Sequence, residues 1–295
     1  MHRITSRPYR ILADHMEIYR FMTEIYEPDW RNGVPAPFLE YALSSDWMDA
    51  SLSHRWRIWE EDGDIIGFCF TENPSTDVYF SLRPGYESIA DEMIAWADSR
   101  MPDDAASRRL VLFAGQTALT QAASRAGYEK TGEDVNRQYF FDAPLDHPLP
   151  EGFRFTEPGG VSVEKACECC WKGFDHEVEE GPWNGDAEHG YHLCAAPHAT
   201  PEYSIAIENE SGEYVCYAGM WWTPENRLAY MEPLCTVPGY RGRGLASAIL
   251  SELARRMRRL GAQQMTGGSN PFYAKIGFRP ADVWTYWKKT EVQHD

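Results

Sequence analysis

Five residues in the stretch VPGYRGRGLASAIL, Val237 to Leu250, carry the most pointed chemistry in the sequence. Gly239, Arg241, Gly242, Arg243 and Gly244 stand between an apolar β-type segment and a run of good helix formers. A helix start leaves its first N–H groups unpaired and lies at the positive end of the helix dipole, so a strand, a glycine turn and a helix together make an anion site. Gly242 and Gly244 let the backbone approach a bulky anion, and Arg241 and Arg243 offer charge-assisted bonds to phosphate. No Lys-Ser or Lys-Thr follows the glycines, so this is not an ATP-type loop. The three spaced glycines of a dinucleotide site are missing as well.

The segment from Gly173 to His192 holds six acids and no Lys or Arg. Its Glu177, Glu179 and Glu180, with Trp183 and Tyr191, suit a cation through charge and ring stacking, although a solvated acidic loop would read the same way. Cys167, Cys169 and Cys170 fall on a predicted helix at spacings that point their sulfurs apart, so no metal is expected.

The elements that position these groups come in the same order twice. After the prolines of FDAPLDHPLPEGFRF, the patterns predict a strand at 153–156, a helix at 161–173 and a long irregular segment. Strands at 203–208, 214–222 and 228–237 follow, then the glycine loop, a helix to residue 260, a strand at 263–267, a short helix at 271–276 and closing strands through residue 287. Before that break the counterparts are YRILA, a helix from Asp14, RWRIWE and DIIGFCF, then DVYFSLRPGYESIADEMIAWADSRM, RRLVLFA, TALTQAASRAGYEKTG and NRQYFF. Both halves read Pro-Gly-Tyr into an amphipathic helix. Where the second has Arg241, Gly242, Arg243 and Gly244, the first has Glu87, Ser88, Ile89 and Ala90, and Ala123 stands where the second has Tyr273. The reading is therefore two domains, 1–147 and 148–295, the first altered at its loop.

The spacing R-x-x-G-x-A at Arg241, Gly244 and Ala246, followed by the Asn, Tyr and Gly-Phe of SNPFYAKIGFRP, resembles the GNAT superfamily of acetyl-CoA-dependent N-acetyltransferases. The resemblance implies a tandem α/β fold, each copy a mixed, mostly antiparallel twisted sheet flanked by helices, with a degenerate N-terminal copy. It also implies that the amides of Gly242, Arg243, Gly244, Leu245, Ala246 and Ser247 cradle a pyrophosphate. Strand residues Leu234, Cys235, Thr236 and Val237 would pair with pantetheine, and Asn270 and Tyr273 would contact the cofactor arm. Tyr273 would be the general acid, an amide near Cys235 to Val237 the oxyanion donor, and Glu232 the base or a structural carboxylate. The acidic segment would wall the site of a small cationic amine, a polyamine or an aminosugar. A CoA-binding sensor and a protein N-acetyltransferase remain as alternatives.

The formal net charge of −17 argues against a nucleic-acid partner, which needs a basic face. No apolar run is long enough for a bilayer, and the first residues lack the order of a secretory signal, so a cytoplasmic protein is expected. Seven cysteines without framework spacing fit a reducing compartment. The duplication suggests a monomer, as an internal pseudo-dimer, or a weak homodimer.

Overall fold

The computed structural model describes residues 3–101 and 107–289. The chain divides into two compact units, residues 1–136 with 280–295, and residues 137–279.

The first unit begins with β1 (Ile4–Pro8), α1 (Ile11–Glu24) and α2 (Ala36–Leu43), then β2 (Arg57–Glu61), β3 (Asp64–Thr71) and β4 (Asp77–Leu82). It continues through α3 (Ala90–Arg100), β5 (Arg109–Phe113), α4 (Thr117–Arg125) and β6 (Tyr128–Tyr139), whose last residues pass into the second unit. β1 to β4 form an antiparallel ladder, and β4 runs parallel to β5 at Asp77, Val78 and Tyr79. β3 and β4 are apolar on both faces, since α1 and α3 lie against this sheet and leave neither side to water. YRILA is not a strand: the strand lies at Ile4–Pro8, and the helix starts at Ile11 because Asp14 takes the amide of Arg10 at 2.7 Å.

The second unit contains β7 (Arg154–Phe155), α5 (Val163–Gly173), α6 (His176–Glu179), α7 (Glu188–Cys194), β8 (Ile205–Glu208), β9 (Tyr214–Thr223) and β10 (Leu228–Thr236). α8 (Leu245–Arg259), β11 (Gln264–Thr266) and α9 (Pro271–Lys275) complete it. β7 to β10 are antiparallel neighbours, β10 is parallel to β11, and β11 pairs with Gln138 and Tyr139 at the end of β6. α8 buries Leu245, Ala248, Ile249, Leu253, Ala254 and Met257 against the sheet, the spacing of one helix face. Leu245, Ile249, Leu253 and Met257 each contribute about 1.5–3 kcal/mol on leaving water. Arg256, Arg258 and Arg259 end the helix at its negative pole.

The last strand, β12 (Arg279–Lys289), belongs almost wholly to the first unit. It pairs antiparallel with β5 from Trp284↔Phe113 to Trp287↔Leu110, and the Trp284 ring packs on Trp30, Tyr79 and Phe113. The compact units thus part at residues 136 and 137, not near residue 147, and residues 280–289 help complete the first. Among the described residues, no helix is long and apolar enough to cross a membrane.

Candidate active site

The site is built where β10 leaves β11. The two strands pair at Leu228↔Gln264 and Ala229↔Met265, and the amide of Met231 then donates to Thr266 Oγ1. Beyond this, among the described residues, the strand partners of Leu234, Cys235 and Thr236 are Ala218, Tyr217 and Cys216 of β9. An extra residue in β10 between Met231 and Leu234 makes a bulge, which places Glu232 and Pro233 at the point of divergence. Gly219 of β9 makes the bulge possible, because a Cβ there would lie 2.2 Å from the Glu232 carbonyl oxygen. Sequence reading missed this residue, although a glycine inside the apolar run YAGMWW is the signal of a close backbone approach.

Within the stretch expected to hold an oxyanion donor, the Val237 amide donates to Val215 O at 3.0 Å, back toward β9. Alternation along the strand turns the N–H groups of Leu234 and Thr236 to the opposite, open edge.

The glycine loop follows. Pro238–Tyr240 makes one tight turn, and the Tyr240 hydroxyl accepts from Asn209 Nδ2 at 3.0 Å. Gly242 and Gly244 have φ of +73° and +83°, the left-handed region that other residues enter at a cost. Nothing lies within 4 Å of where their Cβ atoms would be, so the backbone faces open space. Gly244 caps α8 with no side chain bonded to the first-turn amides, and that turn contains no acid. Leu245 is anchored in the core while Ala246 and Ser247 are half-buried beside it. The loop fits a pyrophosphate by shape and by polarity.

The two arginines have different surroundings. Arg243 lies over the rings of Phe153 and Tyr240, 4.8 and 5.4 Å from their centroids. Arg241 bonds Thr236 O, Gly173 O and Asp175 Oδ2 at 3.1, 2.8 and 2.9 Å. Its guanidinium ties the loop to the end of α5, a role that spacing alone does not reveal.

Tyr273 sits on α9, half-buried, with its ring 5.3 Å from Phe272 and 5.2 Å from Phe278. Gly267 and Gly268 make room for it, since Cβ atoms on them would fall 2.9 and 3.2 Å from the ring. Burial, and then the charge of Glu232, push the Tyr273 hydroxyl above its ordinary range, so it holds its proton at neutral pH. The structure therefore brings Glu232 and Tyr273 into one electrostatic neighbourhood. Asn270 caps α9, its Oδ1 accepting from the Phe272 amide at 2.9 Å. That side chain positions Tyr273's helix.

The acidic segment is not irregular throughout but holds α6 and α7. Part of it is already engaged: Asp175 pairs with Arg241, and Glu180 shares a hydrogen bond with the His176 ring at 2.8 Å. Tyr191 donates its hydroxyl to Glu164, which with Ser162 holds that carboxyl down at about 2. Glu177 and Glu179 are exposed, and the Trp183 Nε1 donates to Asp186 O at 3.3 Å.

Comparison with known proteins decides the family of this unit. Residues 171–278 match the model of the Acetyltransferase (GNAT) family. These residues form a GNAT acetyltransferase domain. Three solved structures resemble the chain over nearly its whole length. A GCN5-related N-acetyltransferase from Sphaerobacter thermophilus is 18% identical, with a TM-score of 0.58 over 96% of this chain and 94% of that one. A tandem GNAT protein from the clavulanic acid biosynthesis pathway is 12% identical, with a TM-score of 0.57 over 97% and 98%. The glucosamine N-acetyltransferase region of a fungal multi-domain β-N-acetylglucosaminidase is 11% identical, with a TM-score of 0.52 over 97% of this chain and 38% of that protein. A search of curated proteins found no match. At these identities the likeness is one of fold, and it extends the tandem α/β arrangement to both units. The GNAT domain supplies the glycine loop, the open β10 edge and Tyr273, all inside the matched span.

Proposed function

We propose that the GNAT domain transfers an acetyl group from acetyl-CoA directly to a primary amine of a small cationic molecule. The observation that carries this is the convergence of three things in one unit: the open left-handed glycines at the start of α8, the Leu234 and Thr236 amides turned away from β9, and Tyr273 held protonated beside Glu232. Acetyl-CoA supplies an activated thioester. The first-turn amides of α8 bind its pyrophosphate, and Leu234 and Thr236 offer amides to its arm and to the charge that develops on the reacting carbonyl. Glu232 takes the proton of the incoming ammonium, so that a neutral amine can attack. Tyr273 gives its proton to the departing sulfur.

The cationic acceptor rests on exposed Glu177 and Glu179 and on Trp183, all in the segment between α5 and β8. The amine on glucosamine acted on by the fungal relative belongs to the same class of acceptor. A screen of polyamines and aminosugars with acetyl-CoA, read by thiol release, tests the proposal. Turnover of a small amine supports it. Saturable acetyl-CoA binding with no amine acetylated would make the protein a sensor, and turnover of peptide amines alone would make it a protein acetyltransferase.

A further inference from the structure

Three thiols meet where α5 packs on β10. The sulfur of Cys235 lies 3.8 Å from that of Cys169 and 3.9 Å from that of Cys170. Helix and strand come this close because residue 173 is glycine: a Cβ there would sit 2.7 Å from the Cys235 Cβ. Cys167, on the same helix, turns instead toward Gly190 of α7. A disulfide needs its sulfurs about 2.05 Å apart, so closure asks for a movement of about 2 Å, within reach of a side-chain rotation and a small shift of the helix.

We propose that Cys235 and Cys170 form a reversible cross-link between β10 and α5, driven by a small hydroperoxide. Cys235 and Cys169 are buried, and Cys170 is half-buried, the most exposed residue of the three. The neighbouring thiols of Cys169 and then Cys170 hold Cys235 below the ordinary thiol range, so the reactive thiolate form falls on it. The Cys235 thiolate attacks one peroxide oxygen, the O–O bond breaks, and the departing hydroxide takes a proton to leave as water. The Cys170 sulfur then attacks the resulting sulfenic acid, its proton leaves with the hydroxyl as a second water, and the S–S bond forms. Two thiols are oxidised by two electrons and one hydroperoxide is reduced. The linked helix ends at Gly173, whose carbonyl Arg241 holds, so the cross-link acts on the support of the glycine loop. This inference stands apart from the acceptor reading.

The test uses the full chain treated with hydrogen peroxide, with free thiols titrated and the cross-linked peptides mapped by mass spectrometry. Two thiols per chain should be lost in one disulfide joining Cys235 to Cys170, and dithiothreitol should restore both. Cys235→Ser and Cys170→Ser should each abolish it, with circular dichroism confirming the fold. If either variant fails to fold, the wild-type peptide map alone decides. Thiol loss without a link through Cys235, or a link through Cys169 or between Cys167 and Cys194, overturns the assignment.

Discussion

The two Pro-Gly-Tyr loops have the same entry and opposite contents. The amides of Arg83 and Val237 donate to Ile66 O and Val215 O, one residue before each proline, at 2.8 and 3.0 Å. After that the first unit fills its own cleft. Glu87 Oε1 accepts from the Gly85 amide at 3.0 Å, and Asp91 and Glu92 occupy the first turn of α3. Its strand edge is also covered, because the Leu82 amide donates to Asn32 O at 2.8 Å. Gly33 presses so near Ser81 that a Cβ on it would lie 2.4 Å from the hydroxyl. The buried amide of Gln116 bridges Phe80 O and the Phe113 N–H at 2.9 and 3.0 Å, closing the gap between β4 and β5. The amides of Leu82 and Gly85, which stand where Thr236 and Gly239 stand in the second unit, are thus satisfied within the chain. The two loops differ in where their polar groups find partners, and in the first unit backbone and side chains of the same unit supply them.

The strongest way to break this comparison is to give the second loop the first loop's charge. Gly244→Glu should abolish acetyl-CoA binding in titration calorimetry, by both the carboxylate and the φ of +83° it must adopt. The stoichiometry of the wild-type chain should be one. Retained binding, or two sites, would mean that the first unit is not closed.

Tyr273→Phe comes next. It should lower kcat by about 10²–10⁴-fold while acetyl-CoA affinity stays within a few-fold, since the proton serves the leaving group in the transition state. Because burial and Glu232 raise its pKa, the acid form persists through neutral pH and is lost only as pH rises past the raised value. The alkaline fall of kcat due to Tyr273 should therefore lie above pH 10.0, its ordinary value. A fall near neutrality that disappears in the Phe variant would remove this assignment.

The closure of the first unit can be tested without touching the site. Gln116→Leu leaves two buried backbone groups unpaired and should cost about 1–3 kcal/mol for each, read from denaturant unfolding. Acetyl-CoA affinity should not change. The smallest expected effect is at the acceptor: replacing Glu177, Glu179 and Glu180 by Gln should raise acceptor KM several-fold and flatten its salt dependence, as screened charge pairs do. Wild-type kinetics in that variant would leave the segment a solvated loop.

The parts of this comparison that were legible in the sequence are local. Pro84-Gly85-Tyr86 and Pro238-Gly239-Tyr240 lie at matching places, and Gly127 and Gly277 both end short helices in the left-handed region, at φ of +84° and +101°. The glycine loop, α8 and Tyr273 likewise follow from turn chemistry and helical period over a few residues. What the sequence did not disclose depends on partners far along the chain. Arg241 reads as a phosphate ligand until Asp175 and Gly173 are seen beside it, and Asn270 as a cofactor contact until it is seen capping α9. α2 was missed because APFLEYAL is apolar nearly throughout and too short to show a period. Gln116 lies in no motif, and only the gap it bridges gives it a meaning.

β12 places a constraint on the order of events during synthesis. The first unit lacks a central strand until residues 279–289 exist, since Trp284 and Thr285 join its core and the Thr285 hydroxyl bonds Leu112 O at 2.7 Å. At typical translation rates of about 5–20 residues per second, β5 waits on the order of ten seconds for its neighbour. During that interval Leu110, Val111, Leu112 and Phe113 present an apolar strand with an open edge, the kind of surface that chaperones cover and that pairs wrongly when crowded. The part of the chain translated first is thus among the last to close, and a stop codon near residue 279 would harm the first unit more than the one in which it falls.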